Sequence, residues 1–278
     1  MCGIVGYVGR RSACDILING LRRLEYRGYD SAGVALESAR GLTIVKQTGK
    51  VASLEKRLVE EVPAEERERA HAGIAHTRWA THGLPTEANA HPHVSDGGRL
   101  ALVHNGIIEN YAGLRRHLEQ RGCVFVSQTD TEVLAHLIST FDGGNLLSAV
   151  SQALKRVEGT YGIAVISTRY PGQIVVARKG SPLVVGIGDG ETIVASDVSA
   201  IVAHTRQVIY LQDGDVAVVT AEGPQIYTLD NAPVDRAVSS VEWEIGAAEK
   251  SGYEHFMLKE IHEQPAALQN AIRGRLDL

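Results

Sequence analysis

The chain has 278 residues, of which 44% are hydrophobic and 22% are charged, which is typical of a globular protein with a sizeable core. A net charge of −5 without any basic block argues against nucleic acid and anionic membranes as partners. No apolar run approaches the roughly 18 residues of a membrane span, and we expect no secretory signal. Three cysteines form no disulfide framework, which favours a reducing, cytoplasmic location.

Hydrophobic periodicity predicts the elements of the first third of the chain. In order, they are a buried strand Cys2–Val8, a helix capped by Ser12 with apolar Ile16, Leu17, Leu21 and Leu24, strands Ser31–Leu36 and Leu42–Gln47 with a turn near Arg40-Gly41, a helix with Leu54 and Leu58, a solvated charged helix end and loop Glu60–Arg69, and a strand His71–Trp79. A polar loop rich in Gly, Pro, Thr, Asn and His follows this strand.

The remaining elements fall into a block of helices and then a block of strands. We predict a strand Arg99–His104 ended by Asn105-Gly106, a helix Tyr111–Arg121, a short strand Val124–Val126, helices Thr131–Phe141 and Leu146–Val157, strands Tyr161–Ser167, Gln173–Arg178, Leu183–Ile187, Thr192–Ala195, Val208–Leu211, Val216–Thr220 and Gln225–Thr228, and a short helix Val198–Ala203. Many strands flanked by helices in separate blocks indicate an α+β fold, with two packed antiparallel sheets and helices outside them. After about Ser240 the chain becomes polar and then helical, like the lead-in to another domain.

Cys2 is the first residue that suggests chemistry. A side chain as small as cysteine allows an aminopeptidase to remove Met1, which would give Cys2 a free α-amine with a pKa of about 7.7–8. One residue would then carry a nucleophile and its own general base. The alternative is that Cys2 is a small apolar residue at the start of a buried strand.

Asn105, Gly106, Arg78 and Asp130 could complete such a site. The Asn105 side chain and the Gly106 N–H could hold an oxyanion, although Asn-Gly is also a common turn pair. Arg78 suits a substrate carboxylate because its guanidinium binds through two parallel hydrogen bonds. Asp130 could bind an ammonium group, and Thr129-Asp130-Thr131-Glu132 also fits the start of a helix.

The eleven histidines raise the alternative of a metal site. His91 and His93 together with His76, His82 or His104 could supply ligands, but their spacing matches no recognised metal signature. We therefore expect no metal and no cofactor.

Seven segments together resemble one enzyme family: MCGIVG, LRRLEYRGYDSAG, GIAHTRWATHG, HPHV, HNGIIEN, TDTEV and EHFMLKEIHEQP. They are similar to the glutaminase domain of the glucosamine-6-phosphate synthases, which are class II, or N-terminal-nucleophile, glutamine amidotransferases. RWATHG and HNG are shared across this class, whereas YRGYDSAG and KEIHEQP point to the synthases. The resemblance runs from Cys2 to the end of the chain.

The resemblance implies a fold and a role for each site residue. The fold would be a four-layer αββα sandwich of the N-terminal-nucleophile hydrolase type, with residues 1–240 as the glutaminase domain and residues 241–278 as a linker and helix leading to an absent sugar-isomerase domain. The implied roles are Cys2 as nucleophile with its amine as base, Asn105 and Gly106 as oxyanion hole, Arg78 with Thr81 and His82 for the substrate carboxylate, Asp130 for its ammonium, and Trp79 on the loop that closes over the substrate.

The expected reaction is hydrolysis of L-glutamine to glutamate and ammonia through a thioester on Cys2. In a full-length protein, which we expect to be a homo-oligomer, the ammonia would convert fructose 6-phosphate to glucosamine 6-phosphate; that sugar would bind only through the absent domain. Two other hypotheses remain open: a non-catalytic module that senses nitrogen supply with the same pocket, and a metal-dependent amidohydrolase built on the histidines.

Overall fold

The computed structural model describes residues 2–38, 40–80, 83–242 and 253–272, and the chain divides into two units, Met1–Val241 and Glu242–Leu278. Within the described part of the first unit there are fourteen strands: β1 (Gly3–Gly9), β2 (Ser31–Ser38), β3 (Gly41–Thr48), β4 (Ala72–Arg78), β5 (His93–Ser95), β6 (Leu100–Ile108), β7 (Gly159–Ser167), β8 (Ile174–Lys179), β9 (Val184–Gly188), β10 (Glu191–Ala195), β11 (Gln207–Tyr210), β12 (Asp215–Thr220), β13 (Gly223–Thr228) and β14 (Ser239–Ser240). The α-helices of the same part are α1 (Ala13–Leu24), α2 (Val51–Glu61), α3 (Ala64–Arg69), α4 (Tyr111–Gln120), α5 (Asp130–Thr140) and α6 (Leu146–Leu154).

The strands form two antiparallel sheets that pack face to face. The larger sheet has the order β14–β11–β9–β10–β1–β4–β2–β3, and the smaller one has the order β13–β12–β8–β7–β6–β5. Because side chains alternate between the two faces of a strand, each sheet presents one apolar face to the other. Ile4 and Ile74 of the larger sheet and Val103, Ile166 and Val176 of the smaller sheet belong to the same buried cluster.

Helices cover the outer faces of both sheets. On the smaller sheet, α5 and α6 bury Val133, Leu137 and Val150 against the outward-facing Leu102 and Ile163. On the larger sheet, α1 packs against β1 and β4, and α2 packs against β3. The layers are therefore helix, sheet, sheet, helix, which confirms the predicted αββα sandwich.

Most of the predicted elements form within one or two residues of their expected ends, and Ser12 caps α1 as predicted, since its Oγ accepts a hydrogen bond of 3.4 Å from the Asp15 N–H. Two strands, β5 and β14, lie in segments for which no strand was expected. The predicted turn near Arg40-Gly41 lies where β2 connects to β3, since Ser38 pairs with Gly41; residue 39 lies outside the described residues.

The prediction of a strand at Val124–Val126 is wrong. Val124 and Val126 are 77% and 73% exposed, and the Val126 N–H donates to the Glu132 carboxylate at 2.9 Å instead of to a neighbouring strand.

The prediction for the charged segment Glu60–Arg69, a solvated helix end and loop, is only partly correct. Its second half forms the separate helix α3, whose outward charges include the Arg69–Glu65 ion pair at 2.9 Å.

The second unit contains one described helix, α7 (Phe256–Ile272). Met257, Ile261 and Leu268 of α7 are exposed. No helix in the described ranges is both long and apolar enough to cross a membrane. That the second unit leads into a further domain stays a prediction.

Candidate active site

A cavity of about 410 Å³ lies at the end of the sandwich where β1 begins and β4 ends. It is lined by Cys2, Arg27, Arg78, Trp79, His91, His104, Asn105, Gly106, Ile107, Thr129, Asp130, Thr131, Thr160, Ser181 and Pro182. Six of the eight predicted site residues therefore meet at one cavity. The other two, Thr81 and His82, lie outside the described residues.

Cys2 directly precedes β1, the strand that pairs with β10 on one side and β4 on the other. Its Sγ accepts a hydrogen bond from the Trp79 N–H at 3.2 Å and donates to the Trp79 carbonyl oxygen at 3.6 Å. Burial raises the pKa of the Cys2 thiol, and the Trp79 N–H opposes this increase in part. The sulfur is therefore held as a thiol near neutral pH, so it needs a base to become a nucleophile.

Asn105 and Gly106 lie inside β6, so the predicted end of the strand at this pair is wrong. Pairing with β7 continues through both residues to Ile108. Gly106 has φ +135°, and a Cβ added there would lie 2.1 Å from the Thr160 carbonyl oxygen, so only glycine fits without rearrangement. Asn105 Nδ2 donates to the Cys2 carbonyl oxygen at 3.3 Å, which places the side-chain amide beside the cysteine.

Arg78 brings a positive charge to the cavity wall at the end of β4. Its guanidinium is buried, lies 3.7 Å from the Asp30 carboxylate, and donates to the carbonyl oxygens of Gly83 and Leu84 at 3.4 Å and 3.3 Å. Asp30 in turn accepts hydrogen bonds from the Ala80 N–H and the Ser31 hydroxyl. The charge of Arg78 is thus held in a fixed position by the chain that follows β4.

Asp130 brings a negative charge to the same cavity. It is the first residue of α5, and Thr129 caps that helix by accepting a hydrogen bond of 3.3 Å from the Glu132 N–H. The Asp130 carboxylate is buried and accepts the Ile108 N–H at 2.8 Å. A carboxylate in the first turn is favoured by the positive end of the helix dipole. The helix-start interpretation is therefore confirmed, and the carboxylate also lines the cavity; that it binds an ammonium group stays a prediction.

Trp79 lies beside Cys2 and contacts Gly28, a residue for which the sequence predicted no contact with Trp79. The indole is 54% exposed. A Cβ built on Gly28, which has φ +94°, would lie 2.5 Å from the indole atoms Cε3 and Cζ3. The absence of a side chain at Gly28 therefore allows the indole to pack directly against the backbone. The sequence shows Gly28 within the segment LRRLEYRGYDSAG. That segment does not indicate which residue packs against the glycine.

Four buried histidines cluster at the cavity: His91 and His104 line it, and His76 and His93 pack against His91. The ring centroids of His76 and His91 are 4.2 Å apart, and those of His91 and His93 are 4.9 Å apart. Burial lowers the pKa of His76 to about 3 and lowers the pKa values of His91 and His93 well below 6.5. Across the described ranges, no three His, Cys, Asp or Glu side chains are arranged to hold a metal ion.

Several of the histidine nitrogens form hydrogen bonds within the protein, whereas His76 Nδ1 is buried without a hydrogen-bond partner among the described residues. His104 Nδ1 lies 3.0 Å from the Thr131 hydroxyl, and His104 Nε2 lies 3.3 Å from the Thr160 carbonyl oxygen. His76 Nε2 lies 2.9 Å from Asn105 Oδ1. The sequence indicated these histidines as possible metal ligands, with His104 also a candidate base, and did not predict the contact between His76 and Asn105.

Comparison with known proteins shows which family this chain is similar to. The profile of the glutamine amidotransferase domain family matches residues 51–222. The glutamine–fructose-6-phosphate aminotransferase [isomerizing] of Symbiobacterium thermophilum is 52% identical over 277 residues, which is 100% of this chain and 45% of that protein. A protein of the same name from Thermus thermophilus is 54% identical over 276 residues, 99% of this chain and 45% of its own length. The chain thus spans less than half the length of these curated relatives.

Solved structures agree with the fold. The glutamine phosphoribosylpyrophosphate amidotransferase of B. subtilis, solved in complex with ADP and GMP, superposes with a TM-score of 0.69 at 27% identity, over 82% of this chain and 49% of that chain. A glutamine aminotransferase class-II domain protein from Silicibacter pomeroyi superposes with a TM-score of 0.56 at 17% identity, over 82% of this chain and 99% of that one. The second likeness concerns the fold alone.

Proposed function

Because the chain belongs to the glutamine amidotransferase domain family, we propose that it hydrolyses L-glutamine to glutamate and ammonia through a γ-glutamyl thioester on Cys2. The observation that carries this proposal is the placement of the Cys2 thiol and the Asn105 amide at one cavity, with Asn105 Nδ2 3.3 Å from the Cys2 carbonyl oxygen. A nucleophile and a donor for the oxyanion it creates are the two groups that amide cleavage requires.

The zwitterionic amino-acid end of the substrate is bound by two opposite charges. Arg78 pairs with the α-carboxylate and Asp130 with the α-ammonium, since both charged groups line the cavity and both are held in place by the backbone. We assign Thr81 and His82 to the carboxylate as helpers of Arg78. Trp79 covers the bound substrate. A ligand with an α-carboxylate and an α-ammonium group can form ion pairs with both Arg78 and Asp130, whereas an uncharged amide can form neither.

The base is the α-amine of Cys2 after removal of Met1. Because burial raises the pKa of the thiol, the attack begins with transfer of the Sγ proton to this amine. Sulfur then bonds to the carbonyl carbon of the side-chain amide (Cδ), and the carbonyl oxygen becomes an oxyanion held by Asn105 Nδ2 and the Gly106 N–H. Return of the proton to the leaving nitrogen releases ammonia and leaves the thioester, which water hydrolyses to glutamate and free Cys2.

In a longer protein, the ammonia would be used for a second reaction. The relatives with more than 50% identity are named as aminotransferases that use glutamine and fructose 6-phosphate, and they are about twice as long as this chain. We propose that residues 1–240 supply ammonia, that residues 241–278 connect to a sugar-isomerase domain, and that the full protein makes glucosamine 6-phosphate as a cytoplasmic homo-oligomer.

The test is a protein whose N-terminus can be freed on demand. A cleavable tag that ends directly before Cys2 converts the amine into an amide and also blocks the approach of the substrate. The tagged protein should be folded and inactive, and cleavage should start ammonia release from glutamine without a change in the circular dichroism spectrum. Equal activity before and after cleavage would contradict the self-based mechanism.

Covalent labelling and a chelator discriminate the alternatives. The glutamine analogue 6-diazo-5-oxo-norleucine should add once, at Cys2, and excess glutamine should slow the reaction. Cys14 should stay unlabelled, since burial raises the pKa of its thiol to about 11. Binding of glutamine without turnover would support the sensing module, and loss of activity to a chelator would support the metal-dependent hydrolase.

A further inference from the structure

We propose that His76 is a positioning residue for the glutaminase reaction, whose imidazole N–H holds the Asn105 side-chain amide in the orientation that presents its NH2 group to the reacting carbonyl. The contact that carries this inference is His76 Nε2 to Asn105 Oδ1 at 2.9 Å. The inference rests on the proposed function and adds to it a residue that does not touch the substrate.

The orientation of the amide follows from what each neighbour can do. The Cys2 carbonyl oxygen can only accept a hydrogen bond, so the NH2 end of Asn105 must face it, as Nδ2 does at 3.3 Å. The oxygen end of the amide then faces His76. Because an amide oxygen only accepts, His76 Nε2 must carry the hydrogen.

The imidazole is suited to hold this one arrangement. His76 lies on β4 and is fully buried, with its ring 4.2 Å from the ring of His91. Burial lowers the pKa of His76 to about 3, so the ring remains neutral under working conditions and neither donates nor takes up a proton during turnover. Its contribution is a fixed N–H at a fixed distance from Asn105.

This arrangement leaves one N–H of the Asn105 amide free to donate a hydrogen bond to the substrate. The NH2 group has two hydrogens, of which one points to the Cys2 carbonyl oxygen, and the second can reach an oxyanion formed on the substrate. Were the amide to rotate by half a turn, its oxygen would face the developing negative charge and repel it. The hydrogen bond from His76 disfavours that rotation, because the amide NH2 would then meet an N–H donor and the buried oxygen would lose its partner.

The test compares variants at position 76 in the chain with a free Cys2 terminus. His76→Leu removes the donor and fills the buried site with an apolar side chain, and His76→Gln returns an N–H close to the position of Nε2. His76→Leu should lower kcat by roughly 10- to 100-fold with KM within about threefold of wild type, since the groups that bind the substrate are untouched. His76→Gln should recover most of kcat.

A double-mutant cycle separates positioning from general damage. In an Asn105→Ala background there is no amide to orient, so His76→Leu should then cost less than about threefold in kcat. Thr77→Val is the matched control on the same strand, because Thr77 is fully buried and its hydroxyl makes no hydrogen bond. It should leave kcat and KM unchanged.

The outcomes distinguish this inference from the proposal on which it rests. A wild-type chain with a free terminus that releases no ammonia overturns both. If the wild type is active, three results for His76→Leu overturn the role of His76 alone. They are an unchanged kcat, a fall in kcat matched by an equal change in KM, and an effect on kcat that is additive with that of Asn105→Ala. If His76→Leu does not fold, His76→Asn replaces it, because its shorter amide stays polar but cannot reach Asn105 Oδ1; its kcat should fall equally, and an unchanged kcat overturns the role.

Discussion

The buried histidines should make the protein lose stability steeply in mild acid. In the folded state His76, His91 and His93 are neutral, because burial lowers the pKa of His76 to about 3 and the pKa values of the other two well below 6.5. In the unfolded chain each has a pKa of about 6.5. Below that pH the unfolded state binds more protons than the folded state, so the free energy of unfolding falls as pH falls.

The size of this loss follows from the three titrations. Between pH 7.5 and 5.5 each histidine that stays neutral in the fold costs about 1.4 kcal/mol, and three cost about 4 kcal/mol. This is a large part of the roughly 5–15 kcal/mol that stabilises a typical domain. The pKa values of His136 and His204 are also lowered by burial, so they add to the loss with the same sign.

Urea titrations at pH 7.5 and 5.5, followed by circular dichroism, measure the difference. The free energy of unfolding should drop by about 4 kcal/mol or more over this interval. His93→Gln should reduce the drop by about 1.4 kcal/mol, since it removes one proton-binding group from the unfolded chain. His117→Gln is the control, because His117 is exposed on α4, and it should leave the drop unchanged. A drop below about 1 kcal/mol in the wild type would refute the neutral buried cluster.

Two further predictions concern the site itself. Asn105→Ala should lower kcat by roughly 10²–10³-fold with little change in KM, because the oxyanion exists only near the transition state. Arg78→Lys should mainly raise KM, because lysine keeps the charge but cannot form the two parallel hydrogen bonds of arginine. Equal changes of kcat and KM in the two variants, measured by steady-state kinetics, would contradict this division of roles. Gly106→Ala should abolish activity and lower the melting temperature, since its Cβ would meet the Thr160 carbonyl oxygen at 2.1 Å. Gly113→Ala, in open space on α4, should stabilise the fold by about 0.5–1 kcal/mol.

The layered fold could be predicted because its strands and helices are local patterns. The alternation of β7, β8 and β12 and the helical spacing of α1 are visible in the sequence, and burial of their apolar faces then decides the packing. The short strands β5 and β14 were missed. With three and two residues, each gains its hydrogen bonds from an existing sheet edge and carries too little pattern of its own.

The Asn105-Gly106 pair was predicted as a candidate oxyanion hole and also as the end of a strand. The first interpretation is compatible with the geometry, and the second is wrong, because a local turn propensity is weaker than nine residues of pairing with β7. The contact between His76 and Asn105 could not be predicted. It joins residues 29 positions apart on two different sheets, and no periodicity in the sequence records that proximity.

The position of β1 in the middle of its sheet bears on the order of events during synthesis. Val5 pairs with Ala195, so the strand that is made first cannot be completed until about 190 further residues have left the ribosome. At about 5–20 residues per second this takes roughly 10–40 seconds. Throughout that interval β1 is without one of its two neighbouring strands and can pair only with β4. The larger sheet is therefore completed late in synthesis, when β10 pairs with the strand that the ribosome made first.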